Sequence, residues 1–199
     1  MSQPLKLGFL ASGNGSSARA IVTAIEAGGL SAEPRLLVSN NRTAPALAFA
    51  AEYGVPALCV PTQGDPDAAD ARLVEAMIAY GVEVIVLSGY LRQLGPRTLQ
   101  RYEGRVLNIH PGPLPQFGGH GMYGRRVHEA VIAAGVAQSG IVIHLVDAEY
   151  DRGPVIARRD VPVAAGDTAE TLETRVTALE PAFFVETLQR IAQGTLKLP

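Results

Sequence analysis

"VEVIVLSG", residues 82–89, decides the fold class. After Glu83 comes Val84-Ile85-Val86-Leu87, an unbroken apolar run rich in β-branched residues. A strand with one wet face alternates apolar and polar residues. An uninterrupted run suits a strand buried on both faces, which is the condition inside a parallel sheet covered by helices. Working outward, "LKLGFL" (5–10), "PRLLVSN" (34–40) and "PALCV" (56–60) read as earlier strands, and "RVLNI" (105–109) as the next one. Helix-like stretches lie between them at 16–27, 43–53 and 66–80. This alternation predicts an α/β fold: a Rossmann-like, open, mostly parallel sheet with helices on both faces and right-handed crossovers.

The pattern changes at "SGIVIHLVDAEYDRGPVIARRDVPV" (139–163), where two strand-like runs flank a polar turn. That reads as an antiparallel pair, so the sheet is expected to be mixed. A long last helix is expected over 168–192, with Thr168 or Asp167 as its N-cap and Glu170 and Glu173 near its positive end. Leu172, Val176, Leu179, Phe183 and Leu188 keep a helical spacing along it.

The chain has 199 residues, 47% of them apolar and 18% charged, which suits one globular domain over 1–199. The net charge of -2 gives no basic stripe, so no nucleic-acid partner is expected. The pairs Arg125-Arg126 and Arg158-Arg159 read as solvated surface. Cys59 stands alone in "VPALCVP" and reads as a small buried hydrophobe; no intrachain disulfide is possible, which suits a reducing compartment. The N-terminus "MSQPLKLGFL" is too short and weakly basic for a signal peptide, and no stretch is apolar enough to span a membrane. A soluble, cytoplasmic protein is expected, with no membrane partner. The sequence leaves a homodimer open.

Open α/β sheets bind ligands beyond the carboxyl ends of their strands. Three segments fall there: "ASGNGSSARA" (11–20), "SGYLRQLG" (88–95) and "NIHPGPLP" (108–115). In the first, Gly13 and Gly15 allow close backbone approach, and Ser16 and Ser17 start a helix whose free N–H groups favour a phosphate. No Lys follows, so this is not a Walker loop. No acidic residue ends the second strand, so it is a poor dinucleotide fingerprint. A tight turn with a serine cap explains the loop equally well.

The third segment is sharper. Asn108 and His110 share one strand face, Ile109 is expected to point into the core, and Pro111, Pro113 and Pro115 stiffen the exit. Two polar groups at the end of a buried strand, rigidly presented, suit catalysis better than structure. The turn "DAEYDRGPVI" (147–156) holds Asp147, Glu149 and Asp151. A carboxylate from this turn reaching His110 would raise the imidazole pKa by stabilising the imidazolium. The four histidines, His110, His120, His128 and His144, lack a zinc-site spacing, so no metal is expected. A Ser-His-Asp reading lacks its G-x-S-x-G elbow. His144 alternates with apolar residues in "IVIHLV" and reads as a satisfied structural residue.

"LNIHPGPLP" followed by "DAEYDRGPVI" resembles the formyltransferase family that uses 10-formyltetrahydrofolate as co-substrate. "ASGNGSS" and "VIVLSGYLRQL" resemble its phosphoribosylglycinamide formyltransferase branch. The likeness spans Leu7 to about Leu188. It implies transfer of the formyl group from 10-formyltetrahydrofolate to the amine of glycinamide ribonucleotide, in de novo purine biosynthesis, without metal. It implies Asn108 and a protonated His110 as donors to the oxyanion, with Asp151 keeping His110 charged and relaying a proton through water. It places the ribonucleotide phosphate on Gly15, Ser16 and Ser17, with Thr177 and Glu180 holding that substrate on the last helix. It places the folate against Leu91, Arg92, Gln93 and Leu94, against Asn108, and against the turn Asp147, Ala148, Glu149, Tyr150 and Asp151. Three departures stand out: Ser17 replaces a common Asn, "TQGDPDAAD" (62–70) lacks a basic folate contact, and the Gly-rich loop 116–126 is long and reads as a lid.

Rival functions are weighed on the same residues. A methionyl-tRNA formylating enzyme would carry a further C-terminal domain, and a formyl-folate hydrolase an N-terminal one. An N-formyltransferase for an amino sugar nucleotide would lack this form of the phosphate loop. A silent folate- or nucleotide-binding module would have no use for Asn108, His110 and Asp151 together.

Overall fold

The computed structural model describes residues 3–199. Seven strands form one sheet: β1 (Leu5–Leu10), β2 (Ala32–Ser39), β3 (Ala57–Cys59), β4 (Val84–Leu87), β5 (Val106–His110), β6 (Gln138–Leu145) and β7 (Val155–Pro162). Their order is β3-β2-β1-β4-β5-β6-β7. The pairings from β3 through β5 are parallel, and those of β6 with β5 and β7 are antiparallel. The mixed, mostly parallel sheet is therefore as expected.

Both faces are covered, as the run at 84–87 requires. Val84 and Val86 pack on one side with Ala18 and Ile21 of α1 (Ser16–Glu26). Phe49 of α2 (Pro45–Glu52) lies on the same side, and Ile85 and Leu87 face the other with Leu73 and Met77 of α3 (Pro66–Ala79). A short helix, α4 (Pro96–Arg101), is not anticipated by the sequence; Asp70 of α3 accepts from the N–H groups of Arg97 and Thr98 at its start. α5 (Arg125–Ala133) and α6 (Ala169–Ala192) complete the first layer through Val127, Val131, Leu172 and Val176. Thr168 caps α6, as one of the two candidates, in a reciprocal box with Thr171. Pro181 sits inside α6. Lacking an N–H, it leaves the carbonyl of Thr177 without its helical donor.

The chain runs outward from β1 to β3, then returns to place β4 on the other side of β1. The switch point between β1 and β4 is where such sheets open a crevice. Here the loops after both strands are stitched together: Ser12 N–H donates to Gly89 C=O at 3.1 Å, and Ala18 N–H to Ser88 Oγ at 2.9 Å. Among the described residues no helix is long and apolar enough to cross a membrane.

Candidate active site

β5 delivers Asn108 and His110, and the turn after β6 delivers Asp151. The geometry joins them. Asp151 Oδ2 lies 3.5 Å from His110 Nδ1, and Oδ1 lies 3.5 Å from His144 Nε2. All but His144 line one cavity of about 650 Å³, together with Ser16 and Ser17. Ile109 is only partly buried and borders the same cavity, so it does not point wholly into the core.

His144 is buried with both ring nitrogens paired, as a satisfied structural residue is, and it also touches the site. It stands directly opposite Asn108 in the β5–β6 register, beside a register shift at Ile143/His144. Its Nδ1 lies 2.9 Å from the Leu145 carbonyl, so Nδ1 carries the proton. Nε2 lies 3.1 Å from the Asn108 amide nitrogen and 3.5 Å from Asp151 Oδ1. His144 thus contacts the Asn108 side chain from the neighbouring strand. Gly153 protects this arrangement, because a Cβ there would collide with the Leu145 carbonyl.

The loop between β5 and α5 is fastened to the same groups by its main chain. His110 Nε2–H donates to Phe117 C=O at 2.7 Å, and Gly119 N–H donates to Asp151 Oδ2 at 3.0 Å. This fixes the His110 tautomer with Nδ1 toward Asp151. The expected rise in the His110 pKa is not what the site produces. Burial pushes it below its ordinary value and outweighs the opposing pull of Asp151 and the Phe117 carbonyl. His110 is only 3% exposed, so the desolvation cost of an imidazolium is high. Burial pushes Asp151 upward, but the His144 ring, His110 and the Gly119 N–H together hold it below the usual carboxylate range.

Gly15 takes φ 67° as the residue before α1, a conformation that favours glycine. Among the described residues, the N–H groups of Gly15, Ser16 and Ser17 have no hydrogen-bond partner. Free N–H groups at the start of a helix favour an anion. Thr177 and Glu180 line the cavity from α6. Glu180 has no hydrogen bond or ion pair among the described residues, and burial pushes its carboxyl up to about 7.

The segments expected to meet folate divide between two cavities. Leu91, Tyr150 and Asp151 border the first. Gln93, Leu94, Asp147 and Ala148 border a second, of about 710 Å³. Arg92 and Glu149 line neither. The two loops are tied by Gln93 Nε2, which donates to Ala148 C=O at 3.0 Å. Tyr90 lines both cavities and is their shared wall. Burial, with a smaller contribution from Asp70 against that of Arg92, pushes its phenol up to about 12. Thr62, Asp67 and Asp70 wall the second cavity, so the 62–70 segment borders it without a basic residue. Of the loop residues, His120 and Tyr123 line the first cavity, whereas Arg125 is engaged by Glu173 at 2.7 Å. Tyr90 is a cavity-side residue to which the sequence assigns no role, His128 lines the first cavity, and His144 lies behind it. The one legible trace was a polar ring set among apolar strand residues at 144. No cluster of three or more metal-ligating side chains occurs among the described residues.

Comparison with known proteins bears on this arrangement. The formyl transferase family model matches residues 5–188. A phosphoribosylglycinamide formyltransferase of Bacillus subtilis is 34% identical over 94% of this chain and 94% of its own. A chloroplastic enzyme of the same name from Vigna unguiculata is 37% identical over 94% of this chain; the chain spans 61% of that relative's length. The crystal structure of glycinamide ribonucleotide transformylase 1 from Symbiobacterium toebii superimposes with a TM-score of 0.89 at 32% identity, covering 100% of this chain and 92% of that one. From its strand order to the polar groups at its switch point, the chain belongs to the formyl transferase family.

Proposed function

We propose that this protein transfers the formyl group of 10-formyltetrahydrofolate to the amine of glycinamide ribonucleotide, in de novo purine biosynthesis. The observation that carries the reading is the convergence of Asn108, His110 and Asp151 on a cavity that also holds the Gly15–Ser17 cradle. The phosphate rests on that cradle. The acceptor lies along Thr177 and Glu180. The pterin occupies the cavity beyond Tyr90, with Gln93, Leu94, Asp147 and Ala148 around it, and the formyl end passes Tyr90 to Asn108. A single cysteine and no disulfide suit a reducing compartment, and the reaction is placed in the cytoplasm.

The chemistry follows from the hydrogen bonds. The amine nitrogen attacks the formyl carbon, and negative charge develops on the formyl oxygen. The Asn108 amide, held by His144, donates to that oxygen. His110 Nε2–H becomes a second donor when the formyl oxygen displaces the Phe117 carbonyl. The ammonium proton leaves through Asp151, and the Nδ1 lone pair of a neutral His110, 3.5 Å from the carboxylate, receives it. The carbon–nitrogen bond to folate then breaks, and the proton returns to the departing nitrogen. A lowered His110 pKa fits this shuttle, since the ring must begin neutral.

The test offers the enzyme three acceptors with a formyl-folate whose deformylation is followed optically: glycinamide ribonucleotide, an amino sugar nucleotide, and water. Turnover is expected with the first alone, and Asp151→Ala should lower it about 10²–10⁴-fold. Turnover only with the second or third would overturn the reading.

A further inference from the structure

His128 is buried in α5 at 1% exposure, yet it is one of the residues lining the cavity that holds Asn108 and His110. Its Nδ1 is sealed from solvent with no hydrogen-bond partner, and neither ring nitrogen has one among the described residues. Buried polar groups in folded proteins are nearly always paired, and an unpaired one costs stability. Nothing in the packing of α5 needs a polar ring here. Its neighbours Val127 and Val131 are fully buried.

The chemistry of the orphan is constrained. A neutral imidazole has one N–H and one lone pair. Nδ1 is enclosed, and a buried donor without an acceptor is rarer in folded proteins than an under-used acceptor. The proton therefore belongs on Nε2. The surroundings keep the ring neutral. Burial lowers its pKa foremost; Glu173 opposes this, while His110 and Arg125 add to it. Glu173 is itself held by Arg125 at 2.7 Å, so its carboxylate is committed elsewhere. α6 packs beside α5 and adds Glu173, Thr177 and Glu180, on one face at helical spacing, to the same cavity wall. That wall belongs to the acceptor side and not to the cavity beyond Tyr90.

We infer that His128 is an acceptor-recognition residue: its Nε2–H donates a hydrogen bond to an oxygen of the sugar-bearing amine substrate. The inference rests on the proposed reaction, and the tests separate the two. Wild-type enzyme is first titrated with glycinamide ribonucleotide by calorimetry, then His128→Leu and His128→Gln. Absence of wild-type binding would count against the proposed function. With wild-type binding present, His128→Leu should weaken acceptor affinity about tenfold. KM for the formyl-folate should stay within twofold, and Tm should be unchanged or higher because the orphan is gone. His128→Gln, which keeps an N–H donor, should recover part of the loss. In 15N-histidine spectra, the His128 Nε2 resonance should move on adding the acceptor and stay still on adding folate alone. Acceptor affinity within twofold of wild type in a folded His128→Leu, or a silent Nε2 resonance, overturns the inference.

Discussion

Asn108 is useful only if its amide points one way, and three residues cooperate to aim it. Gly153 leaves room for the Leu145 carbonyl, that carbonyl takes the proton of His144 Nδ1, and His144 Nε2 holds the amide. Gly153→Ala should therefore reduce kcat by about tenfold or more while KM for both substrates changes little, because the donor is misaligned where charge develops. Steady-state kinetics on the variant checks this; an unchanged kcat would remove His144 from the machinery. Asn108 and His110 were legible because polar residues at the end of an apolar strand, before three prolines, have no packing purpose. Asp151 was legible through its motif. His144 was not: a polar residue alternating with apolar ones looks the same whether it satisfies a core or orients a neighbour. Only the β5–β6 register distinguishes the two. The His110 pKa was misjudged for a related reason, since the sequence shows a carboxylate partner but not a ring at 3% exposure.

At the scale of elements, strands and long helices followed their apolar patterns, and α4 did not. Its six residues carry too little periodicity, and its cap comes from Asp70, at the distance of a whole strand and loop. Asp70 Oδ2 accepts from Arg97 N–H at 2.8 Å, and Oδ1 from Thr98 N–H at 3.2 Å and Thr98 Oγ1 at 2.5 Å. α4 contributes Pro96, Leu99 and Gln100 to the wall of the larger cavity. Asp70→Ala strands these donors and should cost about 2 kcal/mol or more. Chemical denaturation measures that loss. Under the proposed function, the same variant should raise KM for the formyl-folate more than KM for the acceptor, since the deformed wall borders only the larger cavity.

For the whole molecule, buried titratable groups set opposing slopes of stability with pH. His110 and His128 resist protonation when folded, so the unfolded chain binds more protons below the ordinary value of 6.5, and their contribution is lost as pH falls through that range. Glu180 runs the other way. Its folded pKa of about 7 exceeds the ordinary 4.5, so its contribution is full below 4.5 and is lost as pH rises through about 7. Glu180→Gln removes only the second slope. The Tm of the variant minus that of the wild type should grow from pH 5 to about pH 7.5; a constant difference would show that Glu180 is charged throughout.

The long glycine-rich loop meets His110 and Asp151 through a carbonyl and an amide, at Phe117 and Gly119. Every amino acid supplies a carbonyl, and every one but proline an amide hydrogen. Exchanging the side chain of Phe117 would leave that grip almost untouched, although Gly118 has no room for a Cβ beside Leu114 and Asp151 and Gly119 takes φ 104°. Its importance would show instead when the peptide unit itself is altered, by proline at 119 or by a protease cut between the two anchors.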